Sequence, residues 1–306
     1  MLKTVSAVAI IHLKSLSKQY KGENKMDFKI GAIIESFRLP TEQAVKKAAE
    51  LGVNGIQMYC TSGDHAPENM TPAMRRELLD LVKSNGLCFS AICGDLGQGF
   101  GYVEKNPGLI EKSKRIMELA KELETDIVTT HIGVVPSDPN HDRYKIMQEA
   151  CFELASFADS IGSHFAIETG PETSATLKGF LDSLGSKGVA VNLDPANLVM
   201  VTGDDPVQAV YNLKDYIVHT HAIDGIMLTK GNPEYIYRAV HPVPQEAEGI
   251  SYFEEVPLGT GSVPFPGYLK ALDDIGYHGF LTIEREVGDN PAKDIATAVD
   301  FLKNLI

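Results

Sequence analysis

The chain has 306 residues, of which 43% are hydrophobic and 23% are charged. These values are typical of globular proteins and exclude an intrinsically disordered or fibrous chain. Lys and Arg number 28 against 41 Asp and Glu, which gives a net charge of −13. Such a negative charge repels phosphate backbones and anionic membrane surfaces, so we expect neither nucleic acid nor membrane among the partners.

Apolar runs and cysteines indicate the compartment. The longest apolar run is far shorter than the about 18 residues that span a bilayer. The chain has only four cysteines and no C-x-x-C pair, which favours reduced thiols and a cytoplasmic protein. Residues 1–25 differ from the rest, because a short apolar stretch is followed by several lysines. We predict that this segment is an N-terminal extension and not a signal peptide.

From residue 30 onward, short runs rich in Val and Ile alternate with amphipathic stretches. Such runs are typical of strands buried on both faces, and the amphipathic stretches are typical of helices that cover them. Several helical stretches end in a Gly just before the next strand, as expected of a helix C-terminus. The predicted strands are 30–34, 55–59, 88–92, 126–131, 164–168, 189–194, 217–221 and 280–284.

Eight strand and helix units in one chain predict the α/β class and a single (β/α)8 TIM barrel formed by residues 26–306. The competing doubly wound sheet would place a Gly-rich phosphate fingerprint after an early strand. Residues 94–99 are rich in Gly but lack the G-x-G-x-x-G spacing, so we favour the barrel. Residues 1–25 would lie outside its core.

The seventh and eighth predicted strands are separated by a long segment, residues 224–261, which is rich in Pro, Gly and Tyr. Long loops in compact domains usually serve binding or catalysis. An insertion after the seventh strand lies on the face where barrel active sites are built. We therefore predict that it forms a lid or a subunit contact, and a homo-oligomer is compatible with the sequence.

Ionisable residues end four consecutive predicted strands, the fifth to the eighth. Barrel active sites lie at the C-terminal ends of strands, so we expect these side chains to converge. Crowded carboxylates repel each other unless a cation neutralises them, and a set of three carboxylates and one imidazole suits Mn²⁺, Mg²⁺ or Co²⁺, with Zn²⁺ as a further candidate. The residues concerned are Glu168, Asp194, His221 and Glu284.

Strand alternation alone leaves two of these choices open. Side chains two residues apart on a strand share a face, so His219 is an alternative to His221, and Glu286 to Glu284. Other candidates are weaker. Arg38 after the first strand, and Lys230, Arg238 and His241 in the insertion, could contact an anionic group, although a solvated position is favoured for each.

Five motifs carry a resemblance: AIET at 166–169, NLDPAN at 192–197, VHTHAID at 218–224, PLGTG at 257–261 and TIERE at 282–286. They are similar to those of the xylose isomerase-like TIM barrel superfamily, which includes sugar (phosphate) isomerases and epimerases, inosose dehydratases and, more distantly, apurinic-site endonucleases. The resemblance covers roughly residues 29–306. It implies one divalent metal ion bound by Glu168, Asp194, His221 and Glu284.

Four further residues are predicted to bind substrate. His131 with Gly133 resembles the H-x-G of the superfamily's fourth strand, whose His approaches substrate or metal. Two positions depart from its patterns. Ile223 occupies a position where many members have Lys, and Asn197 one where ketohexose 3-epimerases typically place a substrate-binding His, which disfavours a simple ketohexose epimerase. The predicted substrate-binding residues are His131, Asn197, Asp224 and Glu286.

These observations together favour a divalent-metal-dependent sugar or sugar phosphate isomerase or epimerase. It would act on a small polyhydroxylated substrate by removing a proton next to a metal-bound carbonyl, with Glu168 and Glu284 as catalytic residues. An inosose-type dehydratase is an alternative on the same site, because dehydration begins with the same proton abstraction. An apurinic-site endonuclease is disfavoured by the negative charge, and a non-catalytic sugar-binding barrel is the remaining alternative.

Overall fold

The computed structural model describes residues 26–239 and 242–306 and shows a closed barrel of eight parallel strands with helices around it. Each barrel strand pairs with its neighbours in chain order, and the first barrel strand pairs with the last to close the circle. The predicted N-terminal extension and His241 lie outside the described residues. The (β/α)8 prediction is confirmed for the part that the structure describes.

The strands lie within two residues of the predicted bounds. Residues at the middle of each barrel strand are buried, as expected when helices cover one side and the barrel interior the other. The strands in the described part of the chain are β1 Lys29–Ile33, β2 Gly55–Tyr59, β3 Cys88–Cys93, β4 Ile127–Thr130, β5 His164–Glu168, β6 Val189–Leu193, β7 Ile217–Ala222, β8 Asp224–Met227, β9 Phe253–Val256 and β10 Phe280–Ile283. Strands β8 and β9 belong to the insertion, and the other eight form the barrel in the order β1, β10, β7, β6, β5, β4, β3, β2.

Eight longer helices surround the barrel, and their apolar faces pack against the strands. The glycines that end them take left-handed backbone conformations, for example Gly52 with φ of 71° and Gly162 with φ of 61°. The helices are α1 Thr41–Leu51, α2 Pro72–Ser84, α3 Asn106–Glu122, α4 Asp142–Ile161, α5 Ser174–Leu184, α6 Pro206–Leu213, α7 Phe265–Asp274 and α8 Pro291–Lys303.

The insertion, residues 224–261, follows β7 as predicted. Strands β8 and β9 pair antiparallel within it, from Asp224 opposite Val256 to Met227 opposite Phe253. Between them lies a short helical turn, Pro233–Ile236. Residues just after this turn line the same cavity as the ends of the barrel strands. The insertion therefore covers part of the C-terminal face of the barrel.

The structure also bears on two other features of the sequence, its apolar runs and its cysteines. Within residues 26–239 and 242–306, no helix combines the length and the apolar character that crossing a bilayer requires. Cys60, Cys93 and Cys151 are buried thiols, whereas Cys88 at the start of β3 is exposed. Free cysteines are usually buried, and Cys88 departs from this because it is the first residue of its strand, where the burial of β3 has not yet begun.

Candidate metal centre

The four ionisable residues predicted from the strand ends come together in the structure. They follow or end β5, β6, β7 and β10, which are neighbours in the barrel. Each of the four side chains offers one ligand atom, and these atoms all lie within 4.8 Å of one another. The group could hold a metal ion, and its members are Glu168, Asp194, His221 and Glu284.

His221 is the centre of this cluster. Its Nδ1 lies 3.0 Å from Glu284 Oε2, 3.6 Å from Glu168 Oε1 and 3.7 Å from Asp194 Oδ2. The side chain is almost fully buried, with 2% of its surface exposed. One ring nitrogen therefore faces three carboxylates at the C-terminal mouth of the barrel.

Asp194 is held by its own backbone and by Thr169. The Asp194 amide donates to Thr169 Oγ1 over 2.9 Å, and that hydroxyl donates to the Asp194 carbonyl over 2.8 Å. Asp194 Oδ1 accepts hydrogen bonds from the amides of Ala196 and Asn197, as an N-cap residue does. This arrangement leaves Oδ2 directed towards His221 and available as a ligand.

Glu168 is oriented by two amide side chains. Asn192 Nδ2 donates to Glu168 Oε2 over 3.0 Å, and Asn197 Nδ2 donates to Oε1 over 3.2 Å. The carboxylate is buried, with 8% of the residue exposed. Asn197 therefore contacts a member of the cluster, in addition to lining the cavity where we predicted a substrate contact.

Buried polar side chains surround His219 and His221 differently, although the two rings are in edge-to-face contact. His219 Nδ1 lies 2.9 Å from Asn192 Oδ1, and its Nε2 lies 2.9 Å from Thr282 Oγ1. His221 Nε2 lies 3.2 Å from Gln57 Oε1. Both nitrogens of His219 are thus occupied by protein groups, whereas Nδ1 of His221 faces the carboxylates.

The charges of the cluster fit a bound cation. Burial raises the pKa of Asp194 to about 6, and the neighbouring carboxylates act in the same direction. Burial lowers the pKa of His221, but Glu168 and Glu284 outweigh it and hold that pKa well above its usual value. The cluster therefore stabilises positive charge, and three oxygens with one imidazole nitrogen are a donor set suited to a divalent ion.

A cavity of about 680 Å³ opens above the cluster. The four cluster residues line it, and so do His131, Asn197 and Glu286 of the predicted substrate-binding set. Asp224 does not line this cavity. Three of the four predicted substrate-binding residues therefore lie where a ligand could reach them.

Asp224 instead joins the two ends of the insertion. It is 1% exposed, and its Oδ1 accepts from the amides of Gly225 and Val263. Its Oδ2 accepts from the amides of Gly259 and Gly261. Four backbone hydrogen bonds occupy both carboxylate oxygens, so we assign Asp224 a structural role in place of the predicted substrate contact.

His131 is held by Asp95, a residue that the sequence analysis did not identify. Its Nδ1 lies 3.2 Å from Asp95 Oδ2, while Asp95 Oδ1 accepts the amide of Gly97. The other ring nitrogen, Nε2, is buried without a hydrogen-bond partner among the described residues and lies 3.7 Å from Glu168 Oε1. An imidazole nitrogen that makes no hydrogen bond within the described part of the chain is therefore available beside the cluster.

The insertion contributes Tyr237 to the cavity. Its ring centroid lies 5.9 Å from that of His131. A Cβ atom at Gly170 would lie 2.7 Å from the Tyr237 hydroxyl, so this close approach requires glycine there. Tyr237 thus covers the loop that follows β5. Tyr237 reaches the cavity because of the way the insertion folds, and no periodic pattern in the sequence predicts this position.

A model of the xylose isomerase-like TIM barrel family matches residues 45–305 of the chain. The chain belongs to this family. No curated protein matches it. Active sites of TIM-barrel enzymes lie at the C-terminal mouth, where the loops after the strands converge, and the four residues lie at this mouth.

Three solved structures illustrate the range of proteins that share this fold. A xylose isomerase domain protein from Planctomyces limnophilus is 24% identical, with a TM-score of 0.73 over 92% of this chain and 98% of that chain. The probable 3-DHS dehydratase AsbF from Bacillus anthracis is 20% identical, with a TM-score of 0.68 over 90% and 99%. The 3-keto-D-glucoside 4-epimerase YcjR from E. coli is 18% identical, with a TM-score of 0.67 over 90% and 99%. At these identities the similarity shows the fold.

A buried ion pair attaches the insertion to the barrel in this member of the family. Arg285 Nη1 lies 2.6 Å from Glu255 Oε1, and Arg285 Nε lies 3.0 Å from Asp294 Oδ2. Glu255 Oε2 also accepts the amide of Glu286. Strand β9 of the insertion is thereby joined to the loop after β10. The weaker candidate Arg38 donates to the carbonyls of Glu286 and Gly288, which indicates a structural role.

The buried carboxyl group of Glu172 makes the stability of the protein depend on pH. Burial raises its pKa to about 8 from 4.5, and Oε1 has no hydrogen-bond partner among the described residues. Between pH 4.5 and about pH 8, Glu172 keeps its proton in the folded chain and has lost it in the unfolded chain. The free energy of unfolding therefore falls as pH rises through this range. We expect Glu172→Gln to raise the free energy of unfolding by roughly 3 kcal/mol at pH 8 and to change it little near pH 5.

Urea unfolding at both pH values measures this effect. The exposed Glu118 provides a control, since Glu118→Gln removes the same charge from the surface of α3 and should leave the pH dependence of wild type unchanged. Equal pH dependence in wild type and Glu172→Gln would show that Glu172 ionises as readily in the folded chain as in the unfolded one.

Proposed function

We propose that this protein is a divalent-metal-dependent isomerase or epimerase of a small polyhydroxylated substrate, a sugar or sugar phosphate. The observation that carries the proposal is the convergence of Glu168, Asp194, His221 and Glu284 in the lining of one cavity. Structural neighbours described as sugar epimerases support the same class of reaction.

The four residues would hold one divalent ion, for which the oxygen-rich donor set favours Mn²⁺, Mg²⁺ or Co²⁺ over Zn²⁺. Such an ion supplies Lewis-acid polarisation of a substrate carbonyl and so makes the neighbouring C–H more acidic. The remaining chemistry belongs to the side chains of the chain itself.

Glu168 and Glu284 are the proposed proton-transfer residues. Glu168 ends β5 and Glu284 follows β10. These strands lie on opposite sides of β6 and β7 in the barrel, so the two carboxylates would approach a substrate from two sides. One carboxylate can remove the proton and the other can return it to the opposite face, which gives epimerisation. Return by the same carboxylate to the adjacent carbon, with the hydroxyl proton passing to the former carbonyl oxygen, gives isomerisation.

The other lining residues would position the substrate. The free Nε2 of His131, the amide of Asn197 and the carboxylate of Glu286 border the cavity and suit hydroxyl groups. The insertion lies over one side through Tyr237 and would limit the access of water during proton transfer. We also propose that residues 26–306 form one domain, that residues 1–25 lie outside its core and that the protein acts in the cytoplasm.

Dehydration is a second candidate, favoured by the pair of Asp95 and His131. Asp95 orients the ring, and the unpartnered Nε2 could donate a proton to a departing hydroxyl while Glu284 removes the proton from the neighbouring carbon. Loss of one proton and one hydroxide leaves a double bond and releases water. A structural neighbour described as a probable 3-DHS dehydratase agrees with this alternative.

The test is solvent exchange by the manganese-loaded protein in D₂O. We expect deuterium to appear on the carbon next to the carbonyl of at least one compound from a panel of ketoses, ketose phosphates and inososes. A new stereoisomer or aldose identifies the leading reaction, and loss of water identifies dehydration. A metal-loaded protein that exchanges no member of the panel, or that cleaves abasic DNA, would contradict the proposal.

A further inference from the structure

The cavity is larger than a single sugar ring needs. Its volume is about 680 Å³, whereas the twelve heavy atoms of a hexose require roughly 360 Å³ if each takes the about 30 Å³ of a water molecule. The acidic cluster lies on one part of its lining. The proposed chemistry at the cluster therefore leaves room for a second part of the substrate.

Three cationic side chains line the same cavity, and we name them the cationic rim: Lys105, Arg143 and Arg238. They come from three different parts of the chain. Lys105 immediately precedes α3, Arg143 is the second residue of α4, and Arg238 lies in the insertion. The positive ends of two long helices therefore lie next to two of the three cations, which strengthens the attraction for an anion.

Specific contacts hold these three segments together. Arg143 packs on Gly101, where a Cβ atom would lie 3.1 Å from Arg143 Cδ. Arg143 also forms an ion pair with Glu234 of the insertion. The Tyr102 hydroxyl donates to the carbonyl of Ala239 over 3.3 Å. The loop before α3, the start of α4 and the insertion thus form one continuous wall.

The rim has more positive charge than its protein contacts neutralise. Glu234 pairs with Arg143, but neither Lys105 nor Arg238 has an ion pair with any carboxylate whose side chain the structure describes. Lys105 Nζ lies 4.8 Å from the centroid of the Tyr102 ring, which orients it without neutralising it. Two unpaired cations at one cavity are notable in a chain with a net charge of −13.

Arg238 is also unusual in its backbone. Its φ of 51° places a non-glycine residue in the left-handed region, which costs conformational energy that the surrounding contacts must offset. The preceding residue, Tyr237, packs against His131, which in turn lies 3.7 Å from Glu168. The position of Arg238 at the cavity is therefore tied to the acidic cluster through two ring contacts.

We propose that the cationic rim binds an anionic substituent of the substrate, a phosphate or a carboxylate, while the polyhydroxylated part lies over the acidic cluster. This inference rests on the proposed function for the identity of the inner part. The carboxylates of the cluster repel an anion and the rim attracts one, so the charge distribution fixes a single orientation of the substrate. A neutral substituent of equal size would gain nothing from the two unpaired cations.

The test uses one sugar in three forms on the manganese-loaded full chain: D-fructose, D-fructose 6-phosphate and D-fructuronate. We expect at least one charged form to bind about tenfold or more tightly than fructose, because charge-assisted hydrogen bonds to Arg and Lys are stronger than neutral ones. The form that gains more identifies phosphate or carboxylate as the anion. The advantage should shrink as salt concentration rises.

The variant that tests the rim is Lys105→Gln with Arg238→Gln, which leaves the ion pair of Arg143 and Glu234 intact. We expect it to lose the advantage of the charged form while its affinity for fructose changes less than twofold. Lys230→Gln is the matched control, because Lys230 is an exposed insertion residue that does not line the cavity. The control should retain the preference of wild type.

Failure of this inference can be told apart from failure of the proposed function. Deuterium exchange into neutral ketoses without any preference for the charged forms would overturn the anion site alone. A preference that survives in the double variant would overturn it as well. Rim-dependent binding of a charged form by a protein that exchanges no ketose would support the anion site and contradict the isomerase or epimerase.

Discussion

Glu284→Gln and Glu168→Gln are each expected to reduce solvent-deuterium exchange by about 10²- to 10⁴-fold, the usual contribution of a positioned general acid or base. An amide cannot accept the substrate proton, whereas a carboxylate can use one oxygen for the metal and the other for the C–H. The assay is the initial rate of exchange with the best compound of the panel. Each variant is measured after its manganese content has been determined.

The surroundings of the two carboxylates differ, and the difference predicts which substitution disturbs binding more. Asn192 and Asn197 both donate to Glu168. In Glu168→Gln, the new side-chain NH2 group would therefore face the NH2 group of one of these asparagines. Among the described residues, Glu284 has its close polar contact with His221. We therefore expect Glu168→Gln to lower both metal affinity and exchange, and Glu284→Gln to act mainly on exchange.

Glu104→Gln is the control for these variants, because Glu104 is exposed in the loop before α3 and does not line the cavity. It removes the same charge and should keep the exchange rate of wild type. If metal-loaded Glu284→Gln and Glu168→Gln both keep exchange near the rate of the control, the proton-transfer roles are assigned to the wrong residues.

Arg285→Met is expected to lower the free energy of unfolding by about 3–5 kcal/mol, the cost of leaving a buried charge without its partner. Arg285 pairs with Glu255 and with Asp294, and its side chain is only 9% exposed. The substitution also removes the contact that joins β9 to the loop after β10. Urea unfolding measures the loss of stability, and limited proteolysis should show faster cleavage within the insertion.

A surface ion pair gives the matched control. Arg115 pairs with Glu111 one helical turn away, and both side chains are more than half exposed. Arg115→Met should cost less than about 1 kcal/mol and leave the insertion resistant to protease. Adding Glu255→Met to Arg285→Met should restore part of the stability, because it removes the uncompensated charge. Equal losses for Arg285→Met and Arg115→Met would show that Arg285 does not anchor the insertion.

The barrel could be predicted from the sequence because its strands are buried on both faces. That environment demands short apolar runs rich in Val and Ile, and such runs differ sharply from the amphipathic helices between them. The bounds were least certain at the C-terminal ends. Asp194 and Glu284 each lie one residue beyond their strands, since pairing with the neighbouring strands ends at Leu193 and Ile283.

The candidate cluster could also be predicted, because parallel strands end at the same face of a barrel. The choice between His219 and His221 could not be made from alternation. It depends on depth along the barrel: His219 is enclosed by Asn192 and Thr282, while His221, one pleat further on, reaches the mouth. The structure supplies this distinction, and the motif resemblance had indicated the same residue.

Contacts made by loops could not be predicted from the sequence. Nothing periodic marks Tyr237, Arg143 or Glu255, because their positions depend on how the insertion folds against distant parts of the chain. Asp224 shows the reverse case. Its place in a motif suggested a substrate contact, but the two ends of the insertion come together around it and four backbone amides occupy its oxygens.

The most direct test of the central claim is the number of Mn²⁺ ions bound per chain, measured by equilibrium dialysis on wild type and Asp194→Asn. Asparagine preserves the side-chain oxygen that accepts from Ala196 and Asn197, so the local fold should persist while one charged ligand is lost. The account predicts one ion per wild-type chain and at least a hundredfold weaker binding in the variant, in line with the loss of a charged ligand. Equal binding by the two proteins would contradict it.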